Sequence, residues 1–251
     1  MKIINQPNFL ELPDAFLFDT DNTLYSYDQP HKLAMDAVRN KVVKKFSISE
    51  EEFNKSFEKS RKEVKLRLGT QGSSHSRLLY VQKMLEMLGL GSQVLLSLDL
   101  EQTYWRTFLS NAILFNDVKE LLDDIRILGI PASVVTDLTA QIQFRKLVFF
   151  GLENSFDYIV TSEEAGYDKP HEAQFNIAID KMRPNGKNIW MIGDNPINDI
   201  KGAKDAIGAI TLQKIHPGVE KASGTNQPDA YFENFLDLRM LIKKLKQNDG
   251  N

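Results

Sequence analysis

The strongest constraint in this sequence is a short apolar run that ends abruptly on two acids. Ala15-Phe16-Leu17-Phe18 is bounded upstream by Pro13 and leads directly into Asp19-Thr20-Asp21-Asn22-Thr23-Leu24. Four consecutive apolar residues with no alternation predict a strand buried on both faces, as in a parallel sheet covered by helices. In open parallel sheets the chemistry lies beyond the carboxyl ends of the strands. Asp19 and Asp21 therefore fall where an active site is expected. The same residues also suit a polar turn held by side-chain-to-backbone hydrogen bonds.

Downstream of this strand the rhythm is helical. Ala34, Val38, Val42 and Phe46 recur every four residues, the apolar face of a helix beginning near Pro30. Ser49-Glu50-Glu51-Glu52 fits a capping box and opens a helix carrying Phe53, Phe57, Val64 and Leu68. Gly69 to Ser74 reads as a loop. A third helix carries Leu78, Val81, Leu85 and Leu88 and stops at Gly89, and a fourth covers Val94 to Leu109. No strand signal occurs between Tyr25 and Ser110, so residues 25–111 form an all-helical insertion.

From Leu114 onward strands and helices alternate. Val118, Leu121, Leu122, Ile125 and Leu128 line a helix closed by Gly129, and Ala132 to Thr136 is a strand. A helix with Phe144, Leu147 and Val148 ends at Gly151, and Tyr158 to Thr161 is the next strand. A helix after Pro170, the strand Ile189 to Ile192, a helix after Pro196 and the strand Ala209 to Leu212 follow. Such βα repeats predict an α/β fold, a doubly wound parallel sheet of Rossmann-like type, built from residues 1–24 and 112–251. The N-terminal arm carries no clear signal, and the polar tail from Lys246 to Asn251 is expected to fray.

Chemically capable groups recur at the strand ends. Beside Asp19 and Asp21 stand Thr136-Asp137 at one strand tip, Lys169 past the next, and Asp194 and Asp199 past the strand Ile189 to Ile192. Pro170 disfavours helical geometry at Lys169 and so keeps it outside the following helix. Asn195 suits an N-cap and Pro196 the first helical position, which brings Asp199 back toward Asp194. Each residue singly has a plainer reading as a turn residue, a surface lysine or a charge at a helix N-terminus. Their shared placement at the carboxyl ends of successive strands favours a site.

The pattern resembles the haloacid dehalogenase superfamily, in its branch with a helical cap inserted after the first motif. The matching residues are Asp19-x-Asp21-x-Thr23, the strand-terminal Thr136, Lys169-Pro170, and Gly193-Asp194 followed by Asp199. Ser162 to Gly166 and Gly202-Ala203 extend the likeness. One departure is visible: this branch commonly has Thr-Asn-Gly where this chain has Thr136-Asp137-Leu138. The resemblance implies that Asp19 attacks phosphorus and that Asp21 acts as general acid and base. It implies Thr136 and Lys169 on the phosphoryl oxygens, with Asp137 beside them. It also implies Mg²⁺ held by Asp19, Asp194, Asp199 and the carbonyl of Asp21. Charge balance agrees, because one Mg²⁺, Lys169 and a proton on Asp21 together offset four converging carboxylates.

The implied activity is hydrolysis of a small phosphorylated metabolite through an aspartyl-phosphate, the substrate being a nucleotide or a sugar phosphate. An acid at Asp21 argues for phosphoryl transfer, since the dehalogenases carry an aromatic residue there. Two other classes stand beside this reading: a catalytically silent binding protein of the same fold, and a receiver-type phospho-acceptor switch. Selectivity would lie in the insertion, where His75 and Arg77, at the start of a helix after a glycine-containing loop, offer donors to an anionic or polyhydroxylated group. Trp105 and Trp190 read as packing residues, and His31, His171 and His216 lack metal-ligand spacing.

Composition narrows the field further. The chain has 251 residues, no cysteine and a formal net charge of −3. Absence of cysteine excludes a disulfide framework, a thiol nucleophile and thiolate-ligated zinc. The charge provides no general basic field for nucleic acid. The N-terminus lacks the apolar core of a signal peptide and no apolar run reaches membrane-spanning length. A cytoplasmic monomer or homodimer without membrane or nucleic-acid partners is the resulting expectation.

Overall fold

The computed structural model describes residues 1–249. The apolar run is strand β2 (Ala15–Phe18), with all four side chains fully buried. Its neighbours in the sheet are β3 (Ala132–Thr136) and β5 (Ile189–Gly193), both parallel to it. β4 (Tyr158–Thr161) extends the sheet beyond β3, and β6 (Ile210–Lys214) and β7 (Ala230–Phe232) extend it beyond β5. Among the described residues the sheet has seven strands in the order β1-β7-β6-β5-β2-β3-β4. The fold is the expected α/β parallel sheet, with one antiparallel addition. That addition is β1 (Lys2–Ile3), which pairs with β7 at one edge.

Alternate residues of the central strands feed two cores. On one face Trp190 meets Phe9 and Phe16 at ring-centroid distances of 5.0 and 5.7 Å. On the other, Leu17, Met191, Val135 and Val160 pack with Phe175 and Ala178 of a covering helix. Burial on both faces is why these strands are continuously apolar rather than alternating. Sequence order reverses on either side of β2, so β3 and β5 flank it and their carboxyl ends converge at a topological switch point.

The chain divides into two units. One comprises Met1–Ser26 with Ile113–Asn251, and the other Tyr27–Ala112. The second is all-helical: α1 (Asp28–Phe46), α2 (Glu50–Leu68), α3 (Arg77–Met87) and α4 (Val94–Asn111). The Ser49 hydroxyl accepts the Glu52 amide at 3.1 Å, as the capping pattern predicts. The stretch read as a loop contains a short 3₁₀ turn, Gly72–His75. In the sheet-containing unit, α5 (Val118–Ile127), α6 (Ala140–Phe150), α7 (Ser162–Ala165) and α8 (Ala173–Met182) connect or follow the strands. A π-helical turn (Pro196–Lys201) precedes α9 (Gly202–Ile207). The last helix, α10, runs Phe235–Asp249, so Lys246 continues a helix instead of fraying. Gly250 and Asn251 lie outside the described residues. No helix of the described residues is long and apolar enough to cross a membrane.

Candidate active site

Strand β2 ends one residue before Asp19, whose amide donates to the Ile192 carbonyl at 2.9 Å and so stays in register with β5. Asp19 is 6% exposed. The Thr23 hydroxyl donates to its Oδ2 at 3.0 Å, and the Lys169 ammonium donates to its Oδ1 at 2.7 Å. Lys169 reaches this point from the loop after β4 and α7. Its Nζ also donates to Asp199 Oδ1 at 2.7 Å and to the Val135 carbonyl at 2.9 Å.

Asp199 arrives by the capping device read from the sequence. Asn195 Oδ1 accepts the amides of Ile197 and Asn198 at 3.0 and 2.9 Å, and the chain turns through the π-helical segment. That turn carries the Asp199 carboxylate back, where Oδ2 accepts the amides of Asp194 and Asn195 at 3.1 and 2.9 Å. Gly193 is required by this close approach. A Cβ placed on it would lie 2.4 Å from the Asp199 Cβ.

Asp19, Asp194 and Asp199 each place a carboxylate oxygen within 4.8 Å of the others. Burial is the main cause of a raised Asp194 pKa, about 9, with repulsion from Asp199 and Asp19 adding to it. Burial likewise pushes Asp19 up to about 7, against the opposing pull of Lys169. Burial alone would lower the Lys169 pKa, but the charges of Asp19, Asp199 and Asp137 outweigh it and hold the ammonium well above its ordinary value. Three desolvated carboxylates with one shared ammonium carry excess negative charge. An all-oxygen donor set of this kind fits a hard divalent cation rather than a thiophilic one.

Asp21 stands apart from these three. Its carboxylate accepts both the Lys146 ammonium, at 2.7 Å to Oδ1 and 2.9 Å to Oδ2, and the Tyr25 hydroxyl. The Thr136 hydroxyl shares a 2.8 Å hydrogen bond with Thr20 and accepts Gln143 Nε2 at 2.9 Å. Asp137 is bonded to the loop that carries Lys169. Its Oδ1 accepts the Lys169 amide at 2.9 Å and Gln174 Nε2 at 2.7 Å, so the carboxylate anchors the lysine-bearing loop. The next residue, Leu138, adopts φ +102°, a backbone that glycine tolerates far better than leucine.

His75 and Arg77 belong to the helical unit. Arg77 is not a solvated donor. It donates to the His75 carbonyl at 2.6 Å and to the Tyr27 hydroxyl, and lies 5.2–5.7 Å from the ring centres of Tyr80, Tyr104 and Trp105. His31 sits in the same network, 2.6 Å from the Tyr104 hydroxyl, and burial with the nearby Arg77 lowers its pKa to about 4.

Three polar residues escaped the sequence reading: Thr20, Gln143 and Lys146. Gln143 and Lys146 share the buried stripe of α6 with Ile142, Leu147 and Phe150, while Phe144 and Val148 are 50% and 63% exposed. Apolar residues occur on both sides of this helix, which blurs its period. The available signal was the i, i+4 spacing of Ile142, Lys146 and Phe150, which sets a lysine on an inward face.

Comparison with known proteins adds independent findings. A family model described as haloacid dehalogenase-like hydrolase matches residues 16–210. The ribulose-1,5-bisphosphate 5-phosphatase of Halopiger xanaduensis is 32% identical over 216 residues, covering 86% of this chain and 89% of that protein. The glyceraldehyde 3-phosphate phosphatase of Methanocaldococcus jannaschii is 25% identical over 234 residues, covering 93% and 99%. Among solved structures, a 2-haloacid dehalogenase from Pseudomonas syringae pv. Tomato shares the fold, with a TM-score of 0.73 at 20% identity over 93% of this chain and 99% of that one. By motif, fold and family match alike, the chain belongs to the haloacid dehalogenase-like hydrolases.

Proposed function

We propose that this enzyme is a phosphatase of small phosphorylated sugars that works through Asp19. The observation carrying this reading is the buried cluster of Asp19, Asp194 and Asp199 around Lys169, with the second acid Asp21 held separately. The chemistry needs one carboxylate as nucleophile and another to handle protons, in different surroundings.

In this reading the Asp19 carboxylate attacks phosphorus as the bond from phosphorus to the ester oxygen breaks. Asp21 delivers a proton to that oxygen, and the alcohol leaves. Water then attacks the phosphorus of the aspartyl-phosphate, Asp21 takes the water's proton, and the bond to Asp19 breaks to release inorganic phosphate. Lys169 and the Thr136 hydroxyl hold the transferring phosphoryl oxygens, and Asp137 positions Lys169 through its amide. The carboxylates of Asp19, Asp194 and Asp199, with the Asp21 carbonyl, would hold Mg²⁺. The ion supplies positive charge that offsets the carboxylates and the phosphoryl group.

The substrate class rests on the relatives, which are named for a sugar bisphosphate and a triose phosphate. Contacts to the leaving group are assigned to the helical unit, residues 27–112, because metal and phosphoryl contacts alone do not distinguish one phosphomonoester from another. Within that unit the bonds made by Arg77 favour an architectural role over direct substrate contact.

Phosphate release from a panel of sugar phosphates, nucleoside monophosphates and p-nitrophenyl phosphate, with and without Mg²⁺, tests the proposal. Mg²⁺-dependent turnover that disappears in Asp19→Asn, with sugar phosphates leading in kcat/KM, is the expected result. Binding without turnover on every substrate would instead identify a silent member of the family.

A further inference from the structure

Lys146 is a buried cation bound to Asp21. Its side chain is 2% exposed, and its Nζ donates to both oxygens of Asp21. Burying an ammonium costs several kcal/mol unless a partner compensates, so an inward lysine needs a reason. The carboxylate of Asp21 is one such partner, itself 33% exposed. A second donor completes the cradle. The Tyr25 hydroxyl donates to Asp21 Oδ1, and the Tyr25 ring lies 5.9 Å from Lys146 Nζ and 4.8 Å from the ring of Phe150. Lys146 and Phe150 are one turn apart on α6, so one helix sets both donors.

Lys169 and Lys146 thus divide three acids between them. Lys169 gathers Asp19 and Asp199, and Lys146 takes Asp21, whose carboxylate is absent from the three-acid cluster. We propose that Lys146, assisted by Tyr25, is a positioning residue that fixes the Asp21 carboxylate for proton transfer and keeps it out of the neighbouring acid cluster. This rests on the reading of Asp21 as general acid and base. A positioned acid contributes only when its proton lies on the line to the leaving oxygen, and small misplacements are expensive.

The test compares an alkyl phosphate, whose leaving group needs a proton, with p-nitrophenyl phosphate, whose leaving group does not. Lys146→Met, Tyr25→Phe, Asp21→Asn and the double variant Lys146→Met/Asp21→Asn are assayed at saturating Mg²⁺. Lys146→Met is expected to lower kcat/KM on the alkyl phosphate about tenfold or more, with a much smaller loss of kcat/KM on p-nitrophenyl phosphate. This ratio reports formation of the aspartyl-phosphate, whereas kcat also contains its hydrolysis, which Asp21 serves for both substrates. In the Asp21→Asn background it should cost nothing further, because its target is gone. Tyr25→Phe should show the same substrate pattern more weakly, and it carries the test should Lys146→Met not fold. Equal losses of kcat/KM on both substrates, additivity with Asp21→Asn, or no loss would each overturn the assignment. Should Asp21→Asn itself show no preference between the substrates, the role of Asp21 fails. Should Asp21→Asn show the preference and Lys146→Met lack it, only the role of Lys146 fails.

Discussion

Replacing Lys169 with methionine exposes how the candidate site balances its charge. The substitution keeps the apolar stem and removes an ammonium lying 2.7 Å from both Asp19 Oδ1 and Asp199 Oδ1. At an effective dielectric of about 20, each contact is worth about 6 kcal/mol before desolvation is counted. Burying the ammonium costs several kcal/mol in return, and removing one partner of a buried pair typically costs a net of about 3–5 kcal/mol. The loss depends on pH. Asp19 already titrates at about 7 with the lysine beside it, and the lysine holds that value down. Without Lys169 the carboxyl binds its proton more tightly, and that proton replaces the lost charge when pH is low. Destabilisation in metal-free Lys169→Met should therefore be about 3 kcal/mol or more at pH 8 and shrink as pH falls through 7. Urea unfolding in a chelator across this range measures it. A difference that stays constant with pH, or that grows as pH falls, would refute the reasoning.

Other outcomes follow from the same geometry. Gly193→Ala should fold with a loss of about 1–3 kcal/mol, because its Cβ would lie 2.4 Å from that of Asp199, and activity should fall as Asp199 is displaced; full activity would contradict the close approach. Metal-free protein should lose thermal stability as pH rises from 5 to 9. The unfolded chain releases the Asp19 and Asp194 protons near 3.8, whereas the folded chain keeps them to about 7 and about 9, so the unfolded state binds fewer protons in this window. Mg²⁺ should raise the melting temperature most at the alkaline end, and Asp194→Asn should flatten the metal-free slope; a slope unchanged in that variant would place the strain elsewhere.

What could be read from the sequence divides along physical lines. β2 and β5 were legible because a strand buried on both faces is apolar throughout, as Ala15–Phe18 and Ile189–Ile192 are. The cap at Asn195 was legible because Asn followed by Pro is a local instruction, satisfied within three residues. β1 and β7 were not, because strands of two and three residues have no period; β1 forms by pairing with β7 across more than 200 residues, and β7 by pairing with β6 and β1. The bond from Asp137 to the Lys169 amide was hidden for the same reason: a carboxylate at a strand tip suits a phosphate pocket and a loop anchor equally, and only the fold decides. At Leu138 the sequence showed the missing glycine, and the structure shows what the exchange demands, a leucine at φ +102° that is itself 6% exposed. Arg77 stood at a helix start that looked open in sequence, yet three aromatic rings from α3 and α4 surround it.

The central claim, that Asp19 is the nucleophile, is tested most directly by chemical trapping. Borohydride added during turnover of a sugar phosphate reduces an aspartyl-phosphate to homoserine, and peptide mass spectrometry locates the converted residue. The account predicts conversion at position 19, dependent on substrate and Mg²⁺, and enhanced in Asp21→Asn with p-nitrophenyl phosphate, where the intermediate forms but hydrolyses slowly. Conversion at another acid, or turnover with no trapped residue in wild type or variant, would contradict it.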